Sequence, residues 1–349
     1  ASPSTPTSSS TTSSASVSMA TTASPAPLRV ETADGARGGW YSSPAFHFLG
    51  DKATLSDTLR EGQCGWSAPV SIVVPWDATV NTSRQEAILK LRELWGANHA
   101  YLPLCLVLKP SSACGGSGIV YIQNLDDVVT EIDREAKHAL QQEGLLESLK
   151  LERGRVPRWV LQGHIESRLI CDQRKFHVRA YAVHNGDFLM VLTGRYEVRI
   201  AFDSIIHALP NPNSNRSAHM TNGAGGTKTT RCMFSEVPEL ADARASLDSF
   251  LRRLFGVKAL GGIIDVHLKS NTDRSKRPAH MRSLAMCALD LMLDKQGRWW
   301  LLEVNADAPG CPPEVAIPVG SQFRHHLTCV ARDLIDIALG IQSDGWVRV

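Results

Sequence analysis

The stretch Leu289–Asn305 constrains this chain more than any other. It reads Leu-Asp-Leu-Met-Leu-Asp, then Lys-Gln-Gly-Arg, then Trp-Trp-Leu-Leu-Glu-Val-Asn. Two apolar runs around a glycine turn predict a β-hairpin. With Gln296-Gly297 as a two-residue loop, Asp290 falls opposite Glu303, and Asn305, two residues on, projects from the same face. Two carboxylates set side by side repel, and a divalent cation relieves that repulsion. The expectation is a metal site of Asp290, Glu303 and Asn305. A solvated hairpin face is the alternative, and the apolar Trp299, Trp300, Leu301 and Leu302 argue against it.

A second feature is cationic. In Arg174-Lys-Phe-His-Val-Arg179 the side chains of Lys175, His177 and Arg179 alternate with Phe176 and Val178, so one strand face is basic and the other apolar. Upstream, Lys109 ends the apolar run Leu104–Leu108. Gly115, Gly116 and Gly118 then turn the chain into a second strand, Ile119–Ile122. Glycines let backbone N–H groups approach phosphate oxygens, and a lysine adds a point charge. A strand follows these glycines, so the segment is neither a Walker A loop nor a dinucleotide fingerprint. A row of cations beside a metal site suggests a polyphosphate ligand.

Composition excludes some partners. The 349 residues carry 37 basic and 35 acidic side chains, a net charge of +2, which gives no global attraction to nucleic acid. No apolar run is long enough to span a bilayer. The eight cysteines are scattered without a CxxC pair, which fits a reduced compartment. From Ala1 to about Pro27 the chain is rich in Ser, Thr, Pro and Ala, with no charge before Arg29, and reads as a disordered tail.

Order is expected from near Trp40. Strands are predicted at Val70–Val74 and Trp159–Gln162, and a helix at Gln85–Leu94. A further helix is capped by Asn124, with Val128, Ile132, Ala136 and Leu140 on its buried face. Phe176–Val183 and Phe188–Ile200 flank Asn185-Gly186, a strong hairpin signal. Helices are expected at Leu240–Phe255 and from about Ser321 to Leu339, a strand at Ala288–Leu293, and a polar insertion at Ser270–Pro278. The divisions are a tail (1–38), an N-terminal and central subdomain (39–158) and a C-terminal subdomain (159–343).

Taken in order, Phe46-His-Phe-Leu-Gly-Asp-Lys52, Lys109…Gly116-Ser-Gly-Ile119, Gln162-Gly-His-Ile165, Arg174–Arg179, His219-Met-Thr-Asn222 and Asp290…Glu303-Val-Asn305 resemble the tubulin–tyrosine ligase-like family. The resemblance covers about residues 40–340. It implies an α/β (α+β) ATP-grasp fold whose two subdomains close on ATP. By that similarity Lys109, Gly115, Gly116, Lys175, His177 and Asn222 lie at the phosphates, with Thr221 beside them. Gln162, His164 and Ile165 form the adenine hinge, and Asp290, Glu303 and Asn305 hold Mg2+. Arg179 and Arg195 face the reacting carboxylates, with Glu303 in the same catalytic group.

Three positions depart from the family pattern: Gly115 and Gly163 where it has basic residues, and His177 where it has an aspartate. Arg195 raises a geometric question as well. A two-residue Asn185-Gly186 turn would pair it with Phe176 on the apolar face, so its role requires a bulge or a longer turn.

The activity implied is ATP- and Mg2+-dependent ligation of a free amino acid, glutamate first, to a protein carboxylate. The implied acceptor is tubulin or another acidic protein tail. A monomer is expected, cytoplasmic and cytoskeleton-associated, with cilium or flagellum included, and without nucleic-acid or membrane partners. Two other readings stay open: a nucleotide- or microtubule-binding member with weak or no catalysis, and an ATP-grasp ligase with a small-molecule acceptor.

Overall fold

The computed structural model describes residues 29–31, 37–42, 46–75, 83–98, 105–111, 118–141, 158–185, 187–207, 213, 216–221, 229–271, 282–306, 322–338 and 343–349. The strands among the described residues are β1 (Arg29–Glu31), β2 (Arg37–Ser42), β3 (Ser71–Pro75), β4 (Leu106–Pro110), β5 (Val120–Ile122), β6 (Arg158–Gly163), β7 (Phe176–His184), β8 (Leu189–Leu192), β9 (Glu197–Ala201), β10 (Thr229–Met233), β11 (Arg282–Leu293), β12 (Trp299–Asn305) and β13 (Trp346–Arg348). The helices are α1 (Lys52–Glu61), α2 (Arg84–Asn98), α3 (Leu125–Gln141), the single turn α4 (Arg216–His219), α5 (Arg244–Leu254), α6 (Leu260–Asn271) and α7 (Gln322–Ala338). None of the described helices is long and apolar enough to cross a membrane.

The smaller sheet is antiparallel in the order β3-β6-β4-β5. One face buries Ile72, Val74, Leu106, Leu108, Ile122, Trp159 and Leu161 against α2 and α3. Asn124 caps α3 by accepting the Asp127 N–H at 3.0 Å, and Val128 and Ile132 are fully buried beneath it. Ala136 and Leu140 lie outside the residues whose side chains are described. The expected division at 158/159 falls at the start of β6. β6 pairs with both β3 and β4, so it is a central strand of the first sheet rather than the start of the second.

The larger sheet has nine strands built on the long strands β11 and β7. β11 pairs with β2 near its start and with β12 near its end, and β7 pairs with β8 and β9 along its two halves. β10 extends the β9 edge and β13 the β8 edge. One face (Phe176, Val178, Ala180, Ala182, Leu289 and Leu291) packs on α1, α5 and α6. On the other face Tyr181, Val183, Leu192 and Trp346 meet Val330 and Ile337 of α7, and the same face carries the polar His177, Arg179 and Asp290.

Order begins earlier than the Trp40 expectation, because β1 and β2 form a hairpin whose second strand joins β11. Residues 1–28 lie outside the described residues, as does most of the polar insertion. The hairpin at Asn185-Gly186 is longer than two residues. His184 pairs with Leu189, and Asn185 Oδ1 accepts the N–H groups of Asp187 and Phe188, each at 3.1 Å. Phe188–Ile200 is also two strands. Ala182 faces Val191 whereas Arg179 faces Glu197, so three steps on β7 match six on its partner. The excess loops out around Gly194, whose φ of +76° suits glycine.

The β11–β12 hairpin holds a compensation. Its loop has three residues, 295–297, closed by Asp294 N–H to Arg298 O at 2.9 Å, with Gly297 at φ +80°. That loop alone would set Leu302 opposite Asp290. A bulge at Leu302 restores the pairing, since Leu291 faces Leu301 while Asp290 faces Glu303. The sequence reading had the right partner for the wrong loop.

Candidate active site

The two sheets line a common cleft, a concave place of the kind in which small molecules bind. From the smaller sheet come Lys109, Tyr121 and Gln162. From the larger come Lys175, His177, Asp290 and Glu303, while the 163–165 link and the 219–221 segment close the sides. Of the residues expected here, Lys109, Gln162, His164, Ile165, Lys175, His177, Thr221, Asp290 and Glu303 line this one space. Gly115, Gly116 and Asn222 lie outside the described residues.

The larger sheet sets its polar face in rows. Glu303 on β12 faces Asp290 on β11, which faces Arg179 on β7, which faces Glu197 on β9. Arg179 donates to Asp290 through Nε and Nη2, both at 2.8 Å. Asn305 Nδ2 reaches Asp290 Oδ2 at 3.2 Å, and His177 Nε2 lies 3.5 Å from Oδ1. Burial alone would raise the Asp290 carboxyl's pKa, but Arg179 and His177 outweigh it and hold it well below the usual range. Glu303 goes the other way, raised by burial and by Asp290, with Lys52 Nζ 3.7 Å away opposing.

Whether these groups suit a divalent cation can be judged from that asymmetry. A buried carboxylate and a part-buried one lie together, the second pushed toward its protonated form, with the Asn305 amide beside them. This all-oxygen set fits a magnesium-class ion that takes its remaining ligands from a nucleotide. Among the described residues no group of three or more His, Cys, Asp or Glu side chains could hold a metal, so a cation here would rest on two carboxylates and the Asn305 carboxamide.

Two lysines share the cleft, Lys175 buried and Lys109 half-buried within reach of the Glu303 charge. Lys109 Nζ donates to Gln162 Oε1 at 2.6 Å, and Lys175 Nζ lies 3.1 Å from His164 Nε2. Burial pushes both lysines down to about 8. His164 is pushed to about 3 by burial and Lys175, so its ring is neutral and Nε2 accepts from the ammonium. His177 is held at about 4, chiefly by burial, and its Nδ1 pairs with the Thr221 hydroxyl at 2.5 Å. The His219 ring borders the cleft with both nitrogens buried and without hydrogen-bond partners among the described residues.

Arg195 is not brought to the cleft. It sits in the break between β8 and β9 and bonds Asp333 of α7 and the Asp344 carbonyl. The looped-out residues at Gly194 release it from the strand register, and two acceptors on the C-terminal segment capture it. Residues that sequence reasoning gave no role include Lys52, Tyr121 and His219. Lys52 follows Asp51, which caps α1 through the Thr54 N–H and takes Arg158 Nη2 at 2.9 Å. The cap pattern Asp51-x-x-Thr54 was the available signal.

Two sheets closing on a cleft lined by two lysines and a carboxylate pair define a mixed α/β protein consistent with an ATP-grasp-like ligase architecture. Residues 79–317 match the sequence profile of the Tubulin-tyrosine ligase family, and the chain belongs to that family, whose members are ATP-dependent ligases. Tubulin glycylase 3A of Drosophila melanogaster is similar, with 24% identity over 251 residues covering 68% of this chain. The chain spans 22% of the length of that curated relative.

Proposed function

We propose that this protein ligates an amino acid to a carboxylate of an acidic protein acceptor, tubulin first, at the expense of ATP. The observation that carries the reading is the cleft itself, lined by Lys109 and Lys175 together with the Asp290–Glu303 pair. ATP supplies a phosphoryl group that turns a carboxylate into an acyl phosphate, which the amine of the amino acid displaces to leave an amide and phosphate. Asp290, Glu303 and Asn305 would hold magnesium, which would supply neutralisation of the phosphate charge.

The chain's own groups do the rest. Lys109 and Lys175 hold phosphate oxygens, and a phosphate beside each ammonium raises its pKa and keeps it charged. Gln162, His164 and Ile165 border the base, and neutral His164 fixes Lys175. His177 stands where relatives carry an aspartate; through Thr221 and Asp290 it positions the carboxylate face without adding charge. Arg179 keeps Asp290 ionised, which a bound cation requires. The cytoskeleton is the place of work.

Glutamate is the amino acid we favour, and glycine enters through the name of the similar Drosophila protein. ATP-dependent labelling of tubulin with glutamate, glycine or tyrosine tests the whole reading. Incorporation of one of them supports it, and no incorporation by a protein that binds ATP leaves a nucleotide-binding member of the family.

A further inference from the structure

β5 is the edge strand of the smaller sheet, paired on one side with β4, where Tyr121 stands opposite Val107. In antiparallel strands the N–H and C=O of one residue point to the same side. Those of Tyr121 meet a single side chain from far along the chain. Asn213 Oδ1 accepts the Tyr121 N–H at 2.8 Å, and Asn213 Nδ2 donates to the Tyr121 carbonyl, also at 2.8 Å. A carboxamide carries the donor and the acceptor of a peptide group, so Asn213 pairs with β5 as a neighbouring strand would.

This pair joins the two walls of the cleft. Asn213 belongs to the connection from β9 to β10 of the larger sheet, just before α4. The same connection continues through His219, Met220 and Thr221, which line the cleft. The Tyr121 side chain lines it from the smaller sheet. Its ring lies 5.8 Å from that of His164 and 5.1 Å from that of His219, with Lys175 Nζ 5.6 Å from its centroid. The Tyr121 hydroxyl reaches the His219 carbonyl only at 3.5 Å, too long for a strong hydrogen bond. Asn213 supplies two short ones to the main chain. It is also exposed, so water can replace both bonds at little net cost, as a fastening that opens and closes requires.

We propose that Asn213 is a positioning residue for the nucleotide, a clasp that holds β5 and the Tyr121 ring against the larger sheet and sets how fast a nucleotide leaves. It touches no reacting atom and acts through the main chain of Tyr121. The inference rests on the reading of the cleft as an ATP site. A contact made only when two lobes are closed biases them toward closure, and opening limits release.

Release of a fluorescent ATP analogue, followed by stopped flow with excess ATP as the chase, tests the clasp. Asn213→Ala should speed release about tenfold, the equivalent of two hydrogen bonds of modest net strength. Asn213→Asp keeps the shape and the acceptor but sets an oxygen against the Tyr121 carbonyl, and should release as fast as the alanine variant. Asn213→Gln keeps both groups and should restore part of the wild-type rate. Amide exchange in the nucleotide-free protein reports the clasp itself: the Tyr121 N–H should exchange slowly in the wild type and fast in Asn213→Ala. A lower melting temperature with an unchanged release rate in Asn213→Ala would mean that the amide only secures its own connection, and that result overturns the proposal. If the wild type binds no nucleotide, yet Asn213→Ala frees the Tyr121 amide and expands the protein in small-angle scattering, the ATP reading falls and the clasp across the cleft stands. If nucleotide binds and leaves both proteins equally fast, the clasp falls and the ATP reading stands.

Discussion

Arg179 and Asp290 stand directly opposite each other on β7 and β11 and share two hydrogen bonds of 2.8 Å, with both side chains almost completely buried. A buried pair of this kind is strongly destabilising to break, because the surviving charge is left without a counter-ion. Arg179→Met should therefore lower stability by about 3–5 kcal/mol, read as a shift in the denaturant midpoint. Turnover should fall in the fraction that stays folded. A midpoint close to wild type would mean that Asp290 does not need this partner.

Glu303 is the residue on which the metal assignment depends. Glu303→Gln keeps the shape and one acceptor oxygen but removes charge from a carboxylate already raised by burial and Asp290. Ligase turnover should be abolished, metal-free nucleotide binding retained, and the apo protein no less stable. Ligation at the wild-type rate would remove Glu303 from the metal site.

The buried lysines make a pH prediction. Lys175 is pushed from its ordinary 10.5 to about 8 by burial, whereas the unfolded chain titrates near 10.5. Between these values the unfolded state binds more protons, so the stability of the nucleotide-free protein should rise with pH from about 8 to 10.5. For Lys175 the gain is on the order of 3 kcal/mol, and Lys109 contributes in the same direction. Urea titrations across that range should show the rise, and Lys175→Met should flatten it. ATP binding runs oppositely, weakening above pH 8 as the free ammonium groups lose their charge.

Arg195 separates the structure from the family resemblance. Because it bonds Asp333 and the Asp344 carbonyl rather than lining the cleft, Arg195→Ala should lower the melting temperature, with a cost of about 1–3 kcal/mol. The kcat should stay near wild type. A large loss of kcat at unchanged stability would place Arg195 at the reacting groups.

The hairpin loop offers a backbone test. Gly297 has φ +80°, and nothing lies within 4 Å of an added Cβ. Gly297→Ala is therefore strained by conformation alone and should cost about 1 kcal/mol, visible as a lower midpoint with normal ATP affinity. A stabilised variant would argue against the three-residue loop.

Much of the site was legible because it depends on local alternation. The period of two in Arg174–Arg179 put Lys175, His177 and Arg179 on one face, and the hairpin around Gly297 brought Asp290 to Glu303. Even there the agreement was partly fortuitous, since a loop one residue longer was offset by the bulge at Leu302. Bulges are set by the fit of a strand to its neighbours on both sides, and no short window of sequence encodes that.

By itself, the sequence determined the faces: which side chains of β7, β11 and β12 are apolar and go to the core, and which are polar and share the other side. Pleating alternates side chains whatever the rest of the chain does, so this needs no tertiary information. Only the tertiary structure decided which polar residues meet. It moved Arg195 onto α7 through three looped-out residues, brought Lys52 to Glu303 from a distant helix, and set Arg199 against Arg231 across β9 and β10. Those pairings follow from strand order and register, which are fixed by burying two cores at once, and burial acts between segments far apart in the chain.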